Sequence, residues 1–125
     1  MSFDWTEYFN LAKELSGQKG IVVSKEAKLR AAISRAYYAA YCKARNYLRD
    51  VIKDSQIPKG PNVHKYVVNK FKSDNRKNYR KIGINLDRLR IDRNMADYDD
   101  IVEGISSLYF TDLRYAQKIL STLSK

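Results

Sequence analysis

Apolar residues in this chain recur at steps of three and four rather than alternating, and that period commits it to helices. The residues that break helices are concentrated: prolines stand only at 58 and 61, glycines at 17, 20 and 60, with two isolated ones at 83 and 104. The spacing predicts a first helix from Asp4 to about Ser16, with Trp5, Tyr8, Leu11 and Leu15 on one side and Gly17 as its stop. Ser24 caps a long second helix reaching about Asp54, whose stripe includes Leu29, Ile33, Tyr37, Ala40, Ala44 and Leu48. Gly60-Pro61 opens a short third helix carrying His64, Val67, Val68 and Phe71, with proline at its first position. A basic connector, Lys72 to Arg80, leads into a fourth helix ending near Asp97 or Tyr98. The last spans about Ser106 to Ser124 and packs Tyr109, Leu113, Ala116, Leu120 and Leu123. At 125 residues, five such helices fit one domain, 1–125. The expected fold is all-α, a four- to five-helix up-and-down bundle.

Composition narrows the partners. Hydrophobic residues at 44% exclude a disordered chain, and no apolar run is long enough to cross a bilayer. The first fifteen residues lack the basic start and apolar run of a secretory signal, and the single cysteine, Cys42, has no internal disulfide partner. A cytoplasmic location without membrane attachment is expected, and the scattered His and Cys give no metal-ligand pattern and call for no cofactor. Residues 25–97 hold nineteen of the 24 basic residues and seven of the 14 acidic ones, so the net +10 is concentrated there. Such a field attracts polyanions, and ten tyrosines supply rings on which bases can stack.

One residue breaks the pattern. The fourth helix has a seam of Tyr79, Ile82, Leu86 and Leu89, then Arg93, then Ala96, at steps of three and four. A guanidinium on a core-facing stripe is costly unless paired, because it cannot shed its charge. Asp97, one turn later, can pair with it; an acid from another helix or subunit can; or the position receives a phosphate, which suits its planar five-donor fork. Asn94 and Tyr98 follow closely, and either orient a ligand or finish the helix. His64, the only histidine, sits beside Val67 and Phe71 and reads as a core imidazole before it reads as a catalyst.

The strings LRAAISRAYYAAYCKARNYL (29–48), HKYVVNKF (64–71) and LDRLRIDRNMADYDD (86–100) resemble the HEPN superfamily, specifically its small single-domain branch with an Arg-x-x-Ala-Asp-Tyr signature. The resemblance implies a helical bundle that forms a homodimer. In catalytic members an arginine, a polar residue and a histidine four to six positions later meet their copies across the dimer and cut RNA without metal. Arg93 and Asn94 match the first half of that motif, and Tyr98 stands where the nearest histidine would be.

The resemblance therefore implies an RNA-directed protein of toxin or host-defence type, a candidate metal-independent endoribonuclease with a degenerate motif. Arg93 would stabilise charge on the phosphorane, while Asn94, Asp97, Tyr98 and His64 supply the remaining groups. Lys70, Lys72, Arg76, Lys77, Arg80 and Lys81 would hold phosphates of the bound strand. The alternative is a non-catalytic protein that binds a nucleotide or accompanies a small nucleotidyltransferase, as its target or its partner. A third reading is a homodimeric scaffold in which Arg93 pairs with an acid across the two-fold axis.

Overall fold

The computed structural model describes residues 2–124. Among them lie five helices and no strand: α1 (Thr6–Leu15), α2 (Lys25–Asp50), α3 (Val63–Lys72), α4 (Lys77–Tyr98) and α5 (Ile105–Leu123). The chain is an all-α bundle built around α2 and α4. These run antiparallel, so that Arg30 meets Ala96 at one end and Tyr47 meets Tyr79 at the other. α5 lies against both, α3 closes on α4, and α1 covers the first half of α2. His64 lies beside Tyr37 and Phe71 beside Tyr47, so α3 runs in the same direction as α2. Segment 51–62 therefore carries the chain back along α2, and direction alternates only from α3 onward.

Three boundaries differ from the sequence expectation, each for a local reason. α2 ends at Asp50 rather than Asp54. Lys53 adopts φ 63°, the left-handed conformation usually left to glycine, and the N–H of Asp54 closes on the carbonyl of Leu48 at 2.9 Å. α3 begins at Val63, with Pro61 in the turn before it. The nine-residue basic connector shrinks to 73–76, because α4 already starts at Lys77. Asp74 accepts hydrogen bonds from the N–H of Arg76 (2.8 Å) and from its guanidinium (2.9 and 3.0 Å). Arg80 donates to the carbonyls of Asp74 and Asn75, which fixes the same turn. Gly83, in mid-helix, lets α4 approach α3: a Cβ there would stand 2.7 Å from the carbonyl oxygen of Val68.

The core centres on Ile33, Val67, Leu86, Leu89 and Ile119, with Ala40 and Ala44 letting the helices close together. The expected seams hold at Tyr79, Ile82, Leu86, Leu89 and Ala96 of α4 and at Ala116 and Leu123 of α5, and differ at neighbouring positions. On α4 the fully buried polar residue is Asp92, with Arg93 at the margin. On α5, Asp112 and Ile119 face inward, while Leu113 faces out. Asp112 is 0% exposed and no donor reaches either of its oxygens; its neighbour is Asp92, which takes Arg88 at 3.1 Å. Burial first, then the Asp92 carboxyl, pushes Asp112 up to about 8, so at neutrality it keeps its proton and shares it with Asp92.

The most buried charge is Arg30, at 0% exposure. Its Nε holds Glu26 at 2.8 Å, and its Nη1 donates to the carbonyls of Ala96 (3.0 Å) and Asp99 (2.7 Å). Nη2 reaches the carbonyl of Asp100 at 3.4 Å. Phe3 and Trp5 place their rings 4.3 and 5.0 Å from the guanidinium carbon. One cation thus caps the C-terminal end of α4, where the helix dipole favours it, and anchors the N-terminal segment above. Arg30→Lys cannot reproduce this fork, and is expected to cost about 2–4 kcal/mol through carbonyls left unpaired. Urea unfolding measures it; a loss of a few tenths would mean that water satisfies the α4 end without Arg30.

Candidate nucleic-acid interface

By capping α4, Arg30 fixes the last two turns of that helix, which carry Arg93, Asn94, Asp97 and Tyr98. α3 begins at Val63, and its first turn meets α4 near Asp87, so the final turns of α4 extend beyond it. There Ser34, Tyr37 and Tyr38 of α2 stand against Arg93 and Asp97 of α4.

Arg93 is incompletely satisfied. Its Nη1 stands 3.5 Å from Asp97 Oδ2, an ion pair too long for a strong hydrogen bond, and the side chain is 13% exposed. That oxygen of Asp97 also accepts from the Ser34 hydroxyl at 3.2 Å. The buried Nε of Arg93 has no partner among the described residues. The guanidinium carbon lies 5.1 Å from the Tyr37 ring centroid and 5.3 Å from that of Tyr38. Tyr37 is buried and Tyr38 is partly exposed, so one aromatic face remains open beside the cation.

Tyr37 links Arg93 to His64. Burial pushes the Tyr37 phenol up to about 12, so it keeps its proton and donates to His64 Nδ1 at 2.7 Å. The remaining imidazole proton then belongs on Nε2, which lacks a hydrogen-bond partner and lies 3.7 Å from Asp87. Burial, followed by Arg90, lowers the His64 pKa to about 4, outweighing the opposing pull of Asp87. At neutral pH this imidazole is uncharged and a weak base.

The structure therefore brings Arg93 and Asp97 into contact and places His64 one tyrosine away. It does not bring Tyr98 to them. Five residues along a helix is about 140° of rotation, and the ring points outward at 72% exposure. Asn94 is half-buried, and its side chain makes no hydrogen bond among the described residues. The six cations expected to hold phosphates are mostly engaged elsewhere. Lys70 faces Asp54 at 4.0 Å, Lys72 holds Asp87 at 3.1 Å, Arg76 holds Asp74 at 2.9 Å, and Arg80 caps the connector. Lys77 and Lys81 are exposed and form no ion pair among the described residues.

Ser34, Tyr38 and Asp87 were not legible from the sequence as contributors, whereas Tyr37 lies on the buried stripe of α2 as its spacing predicts. The adjacent tyrosines at 37 and 38 were the available signal, since neighbours on a helix point about 100° apart and only one can face the core. No three His, Cys, Asp or Glu among the described residues converge as metal ligands. None of the helices described is long and apolar enough to cross a membrane. No family model, curated protein or solved structure matches this chain.

The buried, neutral His64 makes stability depend on acid. The unfolded chain takes up this proton near pH 6.5 and the folded one only near 4, so stability is full above 6.5 and falls between those values. Urea unfolding of the wild type and His64→Gln should show their stability difference shrinking by about 2 kcal/mol between pH 7 and pH 5. A difference that does not move with pH would show an imidazole that titrates normally.

Proposed function

We propose that this chain is an RNA-binding protein of HEPN type that grips a backbone phosphate at Arg93. The observation carrying this reading is the unfilled guanidinium: one long ion pair, an orphaned Nε and an adjacent open tyrosine ring. A phosphate would complete its hydrogen bonds, and a base would stack on Tyr38. The net +10 supplies the attraction at longer range.

Gripping is favoured over cutting. Strand scission by the 2′-hydroxyl needs a base and an acid that exchange protons near neutrality. His64 titrates near 4 and is held by Tyr37, and the Tyr98 hydroxyl points away from Arg93. In metal-free buffer, single-stranded RNA is expected to bind and stay intact. Arg93→Ala should weaken binding by about tenfold to a hundredfold, the worth of a charge-assisted contact. Affinity should also fall steeply between 50 and 200 mM salt. Equal affinity of wild type and Arg93→Ala refutes the grip, whereas product formed by the wild type and lost in Arg93→Ala restores the endoribonuclease reading.

The expected homodimer also has support. Ile84, Ile91 and Tyr98 stand exposed at seven-residue intervals along α4, which aligns them on one face away from the core. A second copy docked there would bury all three. Ile91→Asp should then shift the protein to monomer in sedimentation equilibrium; a wild type that is already monomeric at high concentration removes this part of the proposal.

A further inference from the structure

The unpaired basic charge that the connector does not supply lies at the other end of α2. Because Lys53 turns left-handed after α2, segment 54–62 folds back along the helix and leaves a cavity of about 670 Å³. Arg45, Arg49 and Lys59 line it together with an apolar wall of Ile57, Pro58 and Val63. We infer that this cavity is a second phosphate-binding site, and that it takes the backbone of the RNA strand held at Arg93. The strand assignment rests on the function proposed above; the affinity for phosphate does not.

Three observations carry it. First, the cations are available. Arg45 donates its Nε to Asn46 at 3.2 Å and lies 5.9 Å from the Tyr41 ring centroid, and neither Arg45 nor Lys59 forms an ion pair among the described residues. Arg49 holds its neighbour Asp50 through Nε at 2.7 Å and Nη2 at 3.0 Å, with both side chains more than half exposed, so it contributes only where an anion displaces Asp50.

Second, the acid lining the cavity is occupied. Asp54 accepts from the Tyr66 hydroxyl at 2.6 Å and from the N–H of Gln56 at 2.9 Å, and these bonds, the Tyr66 one above all, keep its pKa low. Lys70 stands 4.0 Å from it and offsets its charge.

Third, the cavity lies on the same side of α2 as the residue beside Arg93. Tyr38, Arg45 and Arg49 recur at seven and four residues on α2, which puts them along one side of the helix. Tyr38 stands beside Arg93, and Arg49 lies eleven residues further on, about 16 Å along the axis. An extended strand entering at Arg93 and following this side would reach the cavity. The apolar wall suits the flat face of a sugar or base, so the pocket fits a nucleotide unit better than a bare ion.

The test uses the full chain as wild type, Arg45→Gln/Lys59→Gln and Arg93→Ala, with equal unfolding midpoints as the folding control. The probes are a twelve-residue oligouridylate and inorganic pyrophosphate. The double variant should lose about tenfold or more in oligouridylate affinity, and the salt dependence should flatten by about two phosphate contacts. Pyrophosphate should shift the amide resonance of Gly60 in the wild type and in Arg93→Ala, but not in the double variant. Oligouridylate affinity reduced by Arg93→Ala and unmoved in the double variant overturns the shared strand while the Arg93 grip stands. Pyrophosphate binding that depends on Arg45 and Lys59, in a protein that does not bind RNA, removes the RNA reading and keeps the phosphate site. No pyrophosphate shift at Gly60 in any of the three proteins overturns the site.

Discussion

A guanidinium taken wholly out of water survives only if each of its nitrogens finds an acceptor, and Arg30 meets that condition with one carboxylate and three backbone carbonyls. The arrangement solves two problems together. The end of α4 has carbonyls that no later turn of helix satisfies, and Arg30 has a charge that it cannot lose. The N-terminal segment then closes the assembly: the Phe3 N–H donates to the carbonyl of Asp100, the Trp5 indole to its carboxylate, and the Tyr8 hydroxyl to the carbonyl of Ala96. Because the last two turns of α4 carry Arg93, its geometry depends on a residue sixty-three positions earlier that never touches it.

The two arginines illustrate opposite outcomes of burial. Arg30 is fully enclosed and fully paired, so it has nothing to offer a ligand. Arg93 sits at the margin with one long ion pair and spare donors, so an incoming anion completes it. The acidic side of the core makes a similar contrast. Asp92 has Arg88 as a partner, whereas Asp112 has only Asp92, and a retained proton resolves the conflict. With Asp112 turned inward beside Asp92, the α5 seam runs Asp112, Ala116, Ile119 and Leu123, and Leu113 is left outside.

The basic excess carries less functional information than its sum implies. Arg76 and Arg80 are spent on shortening the connector between α3 and α4, and Lys72 on holding Asp87 between those helices. What remains accessible includes Lys77 and Lys81 and, away from the densest basic stretch of the sequence, Arg45, Arg49 and Lys59. A charge cluster in the sequence is therefore not the same as an electropositive surface, because short-range acids and carbonyls claim many of its members first.

The helical class, the number of helices and their approximate spans were legible in the residue pattern, because period and helix breakers act over a few neighbouring residues. It also singled out Arg93, since a permanent charge near a seam is visible in the spacing alone. The fold settled which residue of two adjacent pairs faces the core, Asp92 rather than Arg93 and Asp112 rather than Leu113. Neighbours on a helix point about 100° apart, so near the edge of a seam the local pattern fits either, and pairing across helices chooses. The role of Arg30 was hidden for the same reason, because its acceptors come from a helix end far away in the chain. So was the coupling of His64 to Tyr37, which exists only because segment 51–62 brings α3 back alongside α2.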